Sequence, residues 1–202
     1  MSAAVKNIIL RDGDVPLKEV CRYMGLCEEA ANALQRETVH GLMVRFLKDI
    51  RARACYLEVS VSVMDDMVDL ELLRIKSEHL AKNLHGCEKA ILFAATLGTE
   101  ADRIYRSAAV TSSVSALTAD AIGTAAIEAV CDKLCCEIAE QYSEYKLRPR
   151  FSPGYGDLSL YVQRDIVRIL DTYRKIGLTL SDSLLMIPQK SVTAIVGLES
   201  KS

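Results

Sequence analysis

Arg150-Phe-Ser-Pro-Gly-Tyr-Gly-Asp157 is the segment of this chain whose residue types are best suited to holding a small molecule. Arg150 brings a planar fork of donors that matches a carboxylate or a phosphate. Pro153 fixes one φ and lacks an N–H, while Gly154 and Gly156 permit positive φ and close backbone approach. Tyr155 places a phenol between the two glycines, and Ser152 stands one residue before the proline. A loop of this make-up can hold a zwitterion through its carbonyls, its phenol and its guanidinium. The same residues also describe a plain Pro-Gly turn whose tyrosine fills the core.

A second candidate lies upstream, in the pattern from about Ser115 to Tyr142. Leu117, Ala121, Thr124, Glu128, Cys131, Cys135 and Ile138 recur at alternating steps of four and three, so they share one face of a helix. Ile122, Ala126, Val130 and Leu134 form a second apolar row. Glu128 therefore sits within a stripe of small and apolar residues. A carboxylate there needs a cation or donor, or stays protonated. Arg150 is one candidate partner, the amino group of a ligand is another, and a purely structural ion pair is the plainer alternative.

The elements that must position these residues follow from the periodicity. Asp14-Val15-Pro16 opens a short helix through Val20 that Gly25 closes, and a second helix is expected from about Glu28 to Ile50. From Cys55 to Val63 apolar and polar residues alternate, as in a half-buried strand, and Asp69 to Ile75 reads as another strand. Ser77 caps a short helix that ends near His85-Gly86. Ile91 to Leu97 reads as a buried strand, and Thr99 to about Ala109 as a helix. Beyond the Gly-Tyr-Gly loop, Asp157 or Ser159 can cap a helix through Lys175, with Gly177 ending it. Ser191 to Val196 is β-rich. Helices and strands mix without a regular βαβ rhythm, so the expected class is α+β: a mixed or antiparallel twisted sheet with several packed helices.

Composition narrows the function classes. The chain has 202 residues, half of them hydrophobic, which suits one domain over 1–202, read as a helical and strand part (1–90) and a part carrying the motifs (91–202). Twenty-five basic and 27 acidic residues give a formal charge of −2, which argues against broad binding to nucleic acid. No apolar run in the sequence approaches the roughly 20 residues of a membrane span. The N-terminus lacks the order of a signal peptide, so the cytoplasm is the expected location. Seven cysteines show neither a disulfide framework nor zinc-type spacing with His40, His79 and His85, and read as buried reduced thiols. A thiol-based redox or metal protein using Cys131, Cys135 and Cys136 is a further alternative.

Three segments together carry a resemblance. Arg150-Phe-Ser-Pro-Gly-Tyr155 resembles the Arg-Pro-Ala-Pro-Gly-Tyr signature of the activation domain of cobalamin-dependent methionine synthase. Leu180-Ser-Asp-Ser-Leu-Leu-Met-Ile-Pro188, followed by Ser191-Val-Thr, is similar to that domain's Leu-Thr-Glu-Ser-x-Ala-Met-x-Pro and Ser-Val-Ser. Ala125-Ala-Ile-Glu128-Ala-Val is similar to the Ala-Glu-Ala segment of its long helix. These cover about residues 115 to 196. Glu19-Val-x-Arg-Tyr-Met-Gly25 and Ala95-Thr-Leu-Gly98 resemble stand-alone members of the family.

The resemblance implies a stand-alone reactivation module that binds S-adenosylmethionine. Its methyl would go to a corrinoid whose cobalt has fallen to the inactive cob(II)alamin state, with an electron from a reductant such as flavodoxin or ferredoxin. Arg150, Tyr155 and Glu128 would contact S-adenosylmethionine, with Ser152 and Gly154 offering backbone groups. Cobalamin would be reached only through a partner, a corrinoid-binding methionine synthase or methyltransferase protein. The chain would then be an accessory component rather than a complete enzyme. No general base or nucleophile is needed for such a transfer, in keeping with a sequence without a convincing triad or dyad.

Several positions depart from the family pattern. Phe151 and Ser152 replace Pro and Ala, and Gly156-Asp157 replaces Pro-Ala. The later strand with aromatic residues near the cofactor and an acidic residue from near the domain start have no counterpart. These departures motivate the alternative of a docking or regulatory protein that has lost S-adenosylmethionine.

Overall fold

From Ala90 to Leu97 every side chain is apolar or small, so a strand here must be covered on both faces. The computed structural model, which describes residues 2–26 and 33–201, shows that arrangement. The first half of the chain runs β1 (Ala4–Asn7), α1 (Leu17–Tyr23), α2 (Ala33–Asp49), β2 (Arg53–Ser60), β3 (Ser62–Met64), β4 (Met67–Asp69), β5 (Arg74–Lys76) and α3 (Glu78–Leu84). Next come β6 (Cys87–Thr96), α4 (Thr99–Thr111), α5 (Ser113–Gln141) and β7 (Tyr145–Leu147). The chain closes with α6 (Val162–Leu170), α7 (Thr172–Ile176), β8 (Thr179–Leu180), β9 (Met186–Ile187) and β10 (Ser191–Ser200).

The main sheet has five strands in the order β1-β2-β6-β10-β7, and every pair is antiparallel. Side chains alternate between two cores, as the strand period requires. Ala54, Tyr56, Ile91, Phe93, Ala194 and Val196 face α1, α2, α4 and α5. Cys55, Leu57, Val59, Leu92 and Ile195 face the opposite core, built with α3, α6 and α7. The strand expected from Cys55 to Val63 therefore ends at Ser60 and is buried on both faces, not half-buried; its alternating Tyr56 packs under the helices.

Other expectations are sharpened. Asp69 to Ile75 is not one strand but the hairpin of β4 and β5. Asp14 does not cap α1; its carboxylate takes the Arg11 N–H at 2.6 Å, and Pro16 holds the cap position. The start of the second helix at Glu28 lies outside the described residues. The helix expected through Lys175 is two, because Asp171 turns left-handed (φ 50°) between α6 and α7. Strands β1 and β7 are short edges whose sequences carry no alternation strong enough to reveal them.

Helix α5 is long and apolar enough to cross a membrane by length and composition, which the run-by-run reading of the sequence did not register. Here its apolar rows pack on the sheet, with Ile122, Ala126, Val130 and Leu134 almost fully enclosed.

Candidate functional site

The edge formed by β10 and β7 brings the candidate residues together. Phe151 bridges Ile195 of β10 through two hydrogen bonds of 2.9 Å, so residues 150 and 151 run as an extra piece of edge strand. Neighbouring side chains of extended backbone point to opposite faces. Phe151 is buried in the α6 core, while Arg150 goes to α5.

There Arg150 meets two carboxylates. Its Nη2 donates to Glu128 Oε2 at 2.9 Å, and its Nη1 lies 3.0 Å from Asp132 Oδ1. The Asp132 contact lacks hydrogen-bonding geometry, so the buried Nη1 has no hydrogen-bond acceptor. Burial pulls the Arg150 pKa down, but Cys131, Asp132 and Glu128 outweigh it and hold it above its ordinary value. The guanidinium is thus fully charged. Glu128 is only about half enclosed (46 % exposed), not the deeply buried carboxylate that its helical stripe suggested.

A parallel pair stands one step along the same edge. Lys190, just before β10, donates to Thr124 Oγ1 at 2.7 Å and pairs with Asp120 at 2.9 Å. Its stem lies over Gly123, where an added Cβ would come within 3.1 Å. Asp120, Thr124, Glu128 and Asp132 are spaced by four and form one polar seam on α5 facing two cations. The sequence reading found Thr124 and Glu128 and missed Asp120, Asp132 and Lys190, although the spacing was the available signal.

The Pro-Gly-Tyr-Gly loop is tied to itself. The Gly154 N–H donates to Leu158 O at 2.8 Å, and the Ser152 carbonyl accepts from Tyr155 N at 3.1 Å. Those two backbone groups, expected to serve a ligand, are already used. Tyr155 does not fill the core; it is 69 % exposed, with its ring edge-on to Phe151 at 5.4 Å. Among the described residues its hydroxyl has no hydrogen-bond partner.

Asp157 does not start the following helix. It reaches back to α3, accepting from Ser77 Oγ at 2.5 Å and from the N–H groups of Glu78 at 2.7 Å and His79 at 3.3 Å. Ser77 caps α3 as its sequence position implies, through Leu80 N at 3.0 Å. Three cavities of about 510, 750 and 650 Å³ lie away from Arg150, Glu128 and Tyr155.

The described thiols are free, and Cys21, Cys55, Cys87 and Cys131 are buried as expected, but Cys135 is only partly buried and Cys136 is exposed. Cys27 lies outside the described residues. Burial pushes the Cys55 thiol up to about 12 and the Cys131 thiol higher still. Among the described residues no cluster of His, Cys, Asp and Glu could hold a metal ion.

The class of protein these features define is an α+β domain with an antiparallel sheet between two helical layers and a charged seam along one sheet edge. Its fold is that of the MetH reactivation domain. The crystal structure of the MetH reactivation domain bound to AdoHcy matches over 100 % of this chain and 80 % of that chain, with a TM-score of 0.70 and 14 % identity. No protein-family profile matches the sequence, and neither does any curated protein.

Proposed function

We propose that this protein is a reactivation module that binds S-adenosylmethionine at the β10 edge and acts on a corrinoid held by a separate protein. The observation that carries this reading is the Arg150 guanidinium, whose buried Nη1 lacks an acceptor beside an edge left open. Within the main sheet, β10 from Ser191 to Ala194 pairs only with β6, and β7 takes up the outer edge from Leu198 onward. Of the three sequence segments that resemble the activation domain, α5 meets the 150–155 segment through Glu128–Arg150 and the start of β10 through Asp120–Lys190. A methionyl carboxylate would give Arg150 Nη1 the hydrogen bond that Asp132, its ion-pair neighbour at 3.0 Å, does not.

The chain's own residues would then divide the work. Arg150 holds the carboxylate, with Asp132 (71 % exposed) swinging away to admit it. Glu128 keeps the guanidinium oriented and adds negative charge near the ligand's ammonium. Tyr155 offers its free phenol at the rim. When bound, S-adenosylmethionine supplies an electrophilic methyl, activated by its own sulfonium charge. The exposed rings of Tyr155 and Tyr161, with Leu160 beside Gly154, supply an apolar rim for the corrinoid partner.

The test is calorimetric titration of S-adenosylmethionine, followed by a methylation assay with a corrinoid-bearing partner and a reductant such as flavodoxin. Micromolar binding, about −8 kcal/mol, supports the reading. No binding, alone or with the partner, rejects it. A docking or regulatory protein of the same fold is the second reading. It is favoured by the internal hydrogen bonds of Ser152 and Gly154 and by the two carboxylates already beside Arg150.

A further inference from the structure

A cavity of about 750 Å³ opens where the chain leaves β1, where α2 ends and where α4 begins. Ile9, Leu10, Leu47, Ile50 and Pro188 give it apolar walls, and its charged lining is Lys48, Arg51, Arg53 and Glu100. Three cations thus stand against one carboxylate.

The cations are not equally answered. Arg51 Nη1 lies 3.1 to 3.4 Å from the Ile50, Asp49 and Lys48 carbonyls, so it is satisfied by the end of α2. Arg53 has no such partner. Its Nε is buried without a hydrogen bond, and among the described residues its guanidinium forms no ion pair. It packs instead on the backbone of Gly177, where an added Cβ would lie 3.3 Å from its Nη2. A guanidinium Nε drawn out of water with no acceptor opposite is unfavourable. An external anion would relieve it.

The facing wall adds to the same potential. Helix α4 has 13 residues and begins at Gly98, which has φ 85° and gives no side-chain cap. Gly98, Thr99 and Glu100 of that helix start line the cavity, and no side chain caps the first turn. The Glu100 carboxylate folds back over Gly98, so close that a Cβ there would be 2.6 Å from its Oε2. Glu100 thus stands where a bound anion would be drawn.

We infer that this cavity is a second ligand site, separate from the β10 edge, for an organic anion. Its ligand carries a phosphate, sulfonate or carboxylate on an apolar body. Arg53 anchors the anion, Lys48 adds charge at the rim, Ile9, Leu47 and Pro188 receive the apolar part, and Glu100 opposes binding.

The test uses the full chain and the fluorescence of anilinonaphthalene sulfonate, with inorganic pyrophosphate as competitor. Wild type is expected to show a probe signal that pyrophosphate removes. Arg53→Gln should weaken that competed signal by about tenfold or more, the effect of one hydrogen bond to a charged group. Glu100→Gln should strengthen it, and Arg150→Ala should leave it unchanged, so failure here is distinct from failure of the S-adenosylmethionine reading. The inference is overturned if wild type gives no pyrophosphate-sensitive signal, or if folded Arg53→Gln retains it. If Arg53→Gln does not fold, Glu100→Gln decides: unchanged or weaker binding overturns the site.

Discussion

The Asp157 carboxylate accepts the Ser77 hydroxyl at 2.5 Å across 80 residues of sequence, joining the Pro-Gly-Tyr-Gly loop to the start of α3. The loop is therefore positioned by a helix on the far side of the β6 strand in sequence, and Asp157 supplies the anion that the α3 N-terminus favours.

This joint should depend on pH. The Ser77 hydroxyl first, and then the Glu78 and His79 N–H groups, hold the Asp157 carboxyl below its ordinary value. A depressed folded-state pKa contributes stability above the unfolded value of about 3.9, lost as pH falls through the folded value. Asp157→Asn should lower the thermal midpoint at neutral pH, and its difference from wild type should shrink below about pH 4. A difference that stays constant with pH would reject the ionised cap.

Gly156→Ala is the sharpest test of the loop's backbone. Gly156 has φ 57°, and a Cβ there would run into the His79 ring. The left-handed backbone alone costs a non-glycine residue about 1–2 kcal/mol, with the His79 shift in addition. Urea unfolding should show at least that loss, whereas Tyr155→Phe, at an exposed ring, should leave stability unchanged.

Arg150 and Asp132 should move S-adenosylmethionine affinity in opposite directions. Arg150→Ala removes the carboxylate anchor and should weaken calorimetric binding by about tenfold or more. Asp132→Asn frees Nη1 and should tighten it by about 2- to 5-fold, the worth of one exposed ion pair. Equal affinity in wild type and Asp132→Asn would show that Asp132 does not compete.

The thiols should differ in reactivity. Cys136 is exposed, whereas Cys55 and Cys131 are enclosed and their thiolates disfavoured. Alkylation of native protein near pH 8, followed by peptide mapping, should label Cys136 and spare Cys55 and Cys131 until denaturant is added. Rapid native labelling of Cys131 would contradict the packing of α5 on the sheet.

Much of the frame was legible in the sequence because local periodicity determines it. The buried strand at Ile91 to Leu97, the Ser77 cap, the long alanine-rich helix with its apolar rows and the strand at Ser191 all follow from residue order and short-range sterics. So did the pairing of Glu128 with Arg150 as one option, since a carboxylate in that stripe called for a cation. Tertiary structure alone decided the rest. Sheet order, the second core that buries Cys55 and Leu57, and the edge strands β1 and β7 depend on long-range pairing that no local pattern encodes. Asp157 reads, with Ser159, as a candidate cap for the helix after it, because a local cap is the default. It serves α3 instead, because folding brings Ser77 and two free N–H groups within its reach. Asp132 and Lys190 stayed hidden for the same reason: a charged residue on a helix or before a strand reads as solvated until the fold sets an opposite charge 3 Å away.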